Sequence, residues 1–304
     1  MSGGSARTIV IALVANLGIA VAKFGAAAVT GSSAMLTEGV HSLVDSTNQV
    51  MLLHGRKQAQ KPADALHPFG YGRELYFWSF IVAILVFALG AGVSVYEGVQ
   101  HILHPEAAVS PMIAFIVLGF SGLLEGWSTI EAKKDFDRAR GKRTIWQEVR
   151  HSKDAPTLVV LLENTGAMFG LLFAGAGLAL SLITGNPFWD GLASVLIGLV
   201  LGALAILLLY EAKSLLIGEA ADAEVVEAIR AAALSHDGIE RVDEVLTLHS
   251  SPEMVTCIIS ADFDDSISAR DVEVLVAAIE AKVASSFPII ARVYVRPSDQ
   301  KDAK

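Results

Sequence analysis

The chain has 304 residues, 53% of them hydrophobic, with a mean hydropathy of +0.53 and a formal net charge of −9. That apolarity excludes an ordinary soluble protein of this length, and the acidic balance excludes the basic footprint of a nucleic-acid binder. A single cysteine, Cys257, excludes an intramolecular disulfide and a thiolate metal cluster within one chain; it reads as a small apolar residue in a strand.

A membrane span needs about 20 apolar residues. Six stretches qualify, near 6–29, 33–54, 76–99, 111–131, 156–183 and 189–213. The apolar run after Arg7 reaches about Ala28, longer than the ~7–15 residues of a signal-peptide core, so it reads as the first span. Arg56, Lys57, Lys61 and Arg73 lie between spans two and three, and eight Lys and Arg lie from Lys133 to Lys153, between spans four and five. The opposite connections, near 30–32, 100–110 and 184–188, carry none. The positive-inside rule then places both termini and the two basic connections in the cytoplasm. The expected location is a bacterial inner (plasma) membrane, crossed six times.

The second span is the least apolar because it carries Glu38, His41 and Asp45, three and four residues apart and therefore on one side of a helix. Span five carries Glu163 and Asn164. Ionisable groups within a bilayer are costly and mark pathways or bound ions. From Pro156 to Glu163 the helix rises roughly 10 Å, and from Ser33 to Asp45 roughly 18 Å, so both clusters fall at membrane depth and can share one site. His41 alone could be a buried polar group bonded to a neighbouring helix. With Asp45 one turn later and Glu163 on another span, it reads as a ligand of a divalent transition metal, since imidazole with carboxylates is a borderline ligand set. Glu125 in span four, and Asn16 and Lys23 in span one, are polar within spans; Lys23 is a partner for a carboxylate, Glu125 a proton carrier or a group at the inner mouth. Gly166 and Gly170 read as close helix packing.

From about residue 215 the pattern changes. Residues 1–214 carry 15 acidic and 15 basic side chains, whereas residues 215–304 carry 17 and 8, so the net charge belongs to the C-terminal segment. The chain thus divides into a transport domain, 1–214, and a tail domain, 215–304. Residues 222–235 predict an amphipathic helix, 240–249 and 254–263 two strands, 267–286 a second helix and 289–296 a last strand. The order αββαβ implies a small open sheet with two helices on one face. Such a tail could hold two protomers together; His236, His249 and Glu253 leave open a regulatory metal site.

Thr30-Gly31-Ser32-Ser33-Ala34-Met35-Leu36 followed by Glu38, His41-Ser42-Leu43 and Asp45 resembles the second-span signature of the cation diffusion facilitator family. His67-Pro68-Phe69-Gly70-Tyr71-Gly72-Arg73 and Asp190 extend the likeness over nearly the whole chain. The resemblance implies an α-helical membrane protein, six transmembrane helices followed by a cytoplasmic ferredoxin-like domain, usually dimeric. It also implies export of zinc or another divalent ion in exchange for protons, with the ion as substrate and no cofactor. Where many members carry His and Asp one turn apart in span five, this chain has Val159 and Glu163. The stretch from Asp154 to Asn164 instead looks like the branch containing the mitochondrial zinc transporter, with Asn164 where that branch usually has Asp. His41, Asp45 and Glu163 are therefore the candidate ligands, with Asn164 a weaker fourth. Asp64 and His67 remain where relatives bind a second ion, but Tyr71 stands where His is common, which favours a structural role for this turn.

Metal and protons would compete for His41, Asp45 and Glu163 in a proton-coupled exporter that works by alternating access. Three competitors differ in what they need. A channel could use the same ligands, though a high-affinity chelating site would slow conduction and proton-coupled flux would tell the two apart. An intramembrane metalloprotease would need a His-Glu-x-x-His motif that this sequence lacks, and a metal-responsive scaffold would bind ions without moving them.

Overall fold

The computed structural model describes residues 3–30, 33–104 and 111–298, with side chains except at 3–5, 27, 29, 30, 33–38, 40 and 41. Long apolar runs become helices because a bilayer offers no water to satisfy backbone N–H and C=O groups. In chain order these are α1 (Gly3–Thr30), α2 (Ser33–Ala59), α3 (Glu74–Leu85), α4 (Val93–Leu103), α5 (Pro111–Arg140), the short α6 (Ile145–His151), α7 (Ala155–Thr184) and α8 (Phe188–Ile217). A π-helical turn, Val86–Gly92, joins α3 to α4 in one continuous helix, Glu74–Leu103. The ends follow local rules. Asp154 caps α7 by accepting from Thr157 N, with Pro156 in the first turn, and Gly185 ends it at φ 66°, the left-handed conformation that glycine tolerates best.

Among the described residues, five helices are long and apolar enough to cross a membrane: Ala6–Ala26, Glu74–Leu103, Pro111–Arg140, Ala155–Thr184 and Phe188–Ile217. This is an integral, multi-pass membrane protein. The second predicted span is helical, and the 27 residues of α2 rise about 40 Å. Its polar content keeps it outside the class defined by hydropathy. Span four, expected to end near 131, continues as helix to Arg140. The reason is a ladder of pairs one turn apart: Lys133–Asp137, Lys134–Glu131 at 2.6 Å, Arg138–Asp135 at 2.9 Å and Arg140–Asp137 at 3.0 Å. Four of the basic residues expected in a loop therefore sit on α5.

Residues 1–58 and 74–213 form one compact unit. Its core takes Ile9, Leu52, Val82, Phe136, Leu158 and Leu208 from six helices. Backbones of α4 and α8 meet directly: a Cβ on Gly98 would lie 2.6 Å from Val195 N and 2.8 Å from Gly191 O.

The second unit comprises residues 59–73 and 214–304. It runs α9 (Ala223–Leu234), β1 (Ile239–Ser251), β2 (Met254–Phe263), α10 (Ala269–Ser286) and β3 (Ile290–Pro297), each close to its predicted range. The sheet order is β1-β2-β3, with β1 antiparallel and β3 parallel to the central β2. A parallel neighbour needs a crossover, which α10 supplies. Val255, Cys257 and Ile259 alternate to one face, where Ile229 of α9 and Ile279 and Val283 of α10 cover them. The inclusion of 59–73 in this unit is a finding that composition did not foreshadow. Arg292 Nη2 donates to Pro68 O at 2.7 Å, its guanidinium stands 5.1 Å from the Phe69 ring, and a Cβ on Gly72 would lie 2.6 Å from Ser250 O.

Candidate functional site

The helical repeat of α2 puts positions 41, 45, 48 and 49 on one side. Three of these side chains are described. Asp45 is half-buried, Asn48 is 1% exposed and Gln49 is fully buried. Facing them, α7 presents Glu163. Asn48 Nδ2 donates to Glu163 Oε1 at 3.2 Å and Gln49 Nε2 donates to Glu163 Oε2 at 3.0 Å. Both carboxylate oxygens of Glu163 are thus held by α2. Gln49 Oε1 in turn accepts from Asn16 Nδ2 of α1 at 3.2 Å, which fixes which end of the Gln49 amide faces Glu163.

Asp45 lies within electrostatic reach of both Glu163 and Glu125. Glu125 is buried on α5, on the same face as Ser121 and Ser128. Lys23 of α1 lies within reach of Glu125 and donates from Nζ to Ser42 Oγ of α2 at 2.9 Å. Asp45 and Glu163, carboxylates from the separate sequence clusters, therefore lie within electrostatic reach of each other, with Glu125 and Lys23 close by. Such a set can offer several oxygen donors to a cation between α2 and α7.

The other candidates fall differently. The side chains of Glu38 and His41 lie outside the described residues. Asn164 is buried next to Glu163 in sequence, yet its Nδ2 donates to Ser128 Oγ of α5 at 2.7 Å. Asp64 folds its own turn by accepting from Leu66 N at 2.9 Å, His67 N at 2.7 Å and Tyr71 Oη at 2.7 Å. The Tyr71 hydroxyl, then the His67 backbone, hold the Asp64 carboxyl below its ordinary range. His67 Nδ1 stands 3.6 Å from Asp64 Oδ1, with its ring 4.2 Å from that of Tyr71. His236 Nδ1 donates to Ala232 O at 3.1 Å at the end of α9, and buried His249 directs Nδ1 to Ser251 O at 3.1 Å. Glu253 is exposed. Among the described residues, no group of three His, Cys, Asp or Glu side chains is gathered for a metal ion.

Asn48 and Gln49 are the residues that the sequence reading missed. Their signal was present: two amides, three and four residues after Asp45, continue the polar face of a helix otherwise read from its charged groups.

The cation efflux transmembrane domain model matches residues 9–217. The human mitochondrial proton-coupled zinc antiporter SLC30A9 is 31% identical over 88% of this chain and 47% of its own length. Metal tolerance protein C4 of Arabidopsis thaliana is 34% identical over 72% of this chain and 48% of its own. The manganese efflux system protein MneP of Bacillus subtilis is 25% identical over 86% of each chain. The chain spans about half the length of the first two relatives.

Proposed function

The chain belongs to the cation efflux family of transporters, near the branch of the mitochondrial zinc transporter, and on that premise we propose that it exports a divalent transition-metal cation in exchange for protons. Zinc is the first candidate, supported by the relatives that carry zinc in their names; manganese follows from the likeness to MneP, with iron and cobalt suited to the same donor set. The ion is the substrate, and no cofactor is required.

In this reading α2 is the second of six spans. Both termini and a ferredoxin-like tail, 215–304, face the cytoplasm of a bacterial inner membrane, and the tail pairs two protomers. Residues 1–214 form the transport domain, with 59–73 reaching to the tail. His41, Asp45 and Glu163 ligate the ion, Glu38 assists at the same helix face, and Glu125 with Lys23 lies on the proton route. Ligands must shed protons to take up metal, so the two cations compete for the same atoms and transport of one drives the other. Alternating access then carries the loaded site from one side to the other.

The observation that carries this reading is the tie of Glu163 to α2, the helix that bears Asp45, through both carboxylate oxygens. The test is metal uptake into proteoliposomes under an imposed pH gradient, with Zn²⁺, Mn²⁺, Fe²⁺ and Co²⁺, on wild type and Asp45→Asn. Gradient-driven uptake that disappears in the variant is expected. Asp45→Asn moving metal at the wild-type rate would refute the site, and metal binding without uptake of any ion would favour a scaffold.

A further inference from the structure

The polar face of α2 ends in an atom that the network leaves over. Asn48 is 1% exposed, and its Nδ2 donates to Glu163 Oε1 at 3.2 Å. The Oδ1 of the same amide is buried and has no hydrogen-bond partner among the described residues. A buried carbonyl oxygen without a donor is costly in an apolar surrounding, and groups left so in native structures call for an explanation. This one sits on the same carbon as the nitrogen that grips Glu163, three residues after Asp45 and seven after His41, hence on their side of the helix. Asn164 offers the alternative amide: its nitrogen donates to Ser128 on another helix, and its oxygen is not among the buried side-chain atoms left without a partner in the described residues.

Resting on the export reading above, we propose that Asn48, rather than Asn164, supplies an amide oxygen to the transported divalent cation. Asn48 Oδ1 joins the carboxylates of Asp45 and Glu163, while Asn164 braces α7 against α5. A neutral carbonyl oxygen is a hard donor that suits Mn²⁺ as well as Zn²⁺ in mixed carboxylate sites, and it adds a ligand without adding a charge. One amide then has two tasks: its nitrogen aligns Glu163 and its oxygen meets the ion.

The two tasks separate by substitution. Asn48→Ala removes both atoms. Asn48→Asp keeps an oxygen at the free position but cannot donate to Glu163 as a carboxylate. The experiment measures KM for Zn²⁺ and Mn²⁺ in pH-gradient-driven uptake, alongside Zn²⁺ binding to the full-length protein in detergent. Both are normalised to folded protein by size-exclusion chromatography. Loss of an outer-shell partner alone costs about 10–100-fold in metal affinity, so Asn48→Ala should raise KM at least about tenfold, with the dissociation constant rising in parallel. Asn48→Asp, which keeps the oxygen and loses only the donor to Glu163, should raise KM for both ions by a clearly smaller factor than Asn48→Ala does. Asn48→Asp as impaired as Asn48→Ala would overturn the proposal, because the nitrogen would then be the atom that matters. So would an unchanged KM in Asn48→Ala, or a rise in Asn164→Ala as large as that in Asn48→Ala. If Asp45→Asn in the same preparation transports like wild type, the site reading itself fails; if it is inactive while Asn48→Ala is normal, only the assignment of Asn48 fails.

Discussion

Gln49→Leu tests whether the bond network of α1, α2 and α7 is an energetic link or a coincidence of packing. The substitution keeps the volume of a fully buried side chain and removes two hydrogen bonds, from Asn16 Nδ2 at 3.2 Å and to Glu163 Oε2 at 3.0 Å. The amide–amide bond is the smaller term, since interhelical bonds in a bilayer average about 0.6 kcal/mol. The bond to the carboxylate dominates, because hydrogen bonds to charged groups contribute about 1.5–3 kcal/mol. Asn48 holds Oε1 in either case, so the loss is confined to Oε2. The expected destabilisation is about 2–4 kcal/mol. A double-mutant cycle with Glu163→Leu, read by tryptophan fluorescence during reversible unfolding in mixed micelles, isolates the pair. The largest membrane values reach about 1.7 kcal/mol, so a coupling near 1.5 kcal/mol is expected. Additivity of the two substitutions within ~0.3–0.5 kcal/mol would show that Gln49 and Glu163 do not act on each other, and would refute the network.

Three further outcomes follow from the packing. Gly98→Ala should gain about 1 kcal/mol from helix propensity yet lower the melting temperature, since its Cβ would press on Val195 N at 2.6 Å; overpacking of this kind costs about 1–3 kcal/mol, and a raised melting temperature would contradict the contact. Tyr71→Phe should speed hydrogen exchange in residues 59–73 of the full-length protein. Because the folded Asp64 pKa lies below the ordinary 3.8, the stabilisation it reports is present above that value and is lost as pH falls through the folded pKa, so wild-type protection should fade only at acid pH. Cys257, fully buried with its thiol pushed up to about 11 by burial, should resist a thiol reagent at pH 8 and react once the protein is unfolded; ready labelling of the native protein would contradict its place in the core.

Much of this molecule is legible without coordinates. The length of the apolar runs located the long helices, because a bilayer leaves no other way to satisfy the backbone. Strand-forming Val, Thr and Ile after the turn at 250–253 placed β2 well, and in the fold Val255, Cys257 and Ile259 point inward while Ile258 does not. What misled was local in a different sense. The basic residues 133–140 looked like a loop because charge ends an apolar run, yet ion pairs one turn apart keep α5 helical to Arg140. Residues 59–73 looked like a mere connection, and their attachment depends on Arg292, more than 200 residues away.

For the site, the sequence by itself determined which groups are chemically capable: carboxylates at 38, 45 and 163 and an imidazole at 41, all in segments where such groups are costly to keep. It also set which of them share a helix face, since that depends only on the 3.6-residue turn. Tertiary structure decided the pairing. Only the packing of α2 against α7 puts Asn48 and Gln49 on Glu163, and only the packing of α5 against α7 draws Asn164 away to Ser128. Adjacent residues on a helix point about 100° apart, so Glu163 and Asn164 face different neighbours, and a pattern that lists them together cannot say which one the other helix will meet.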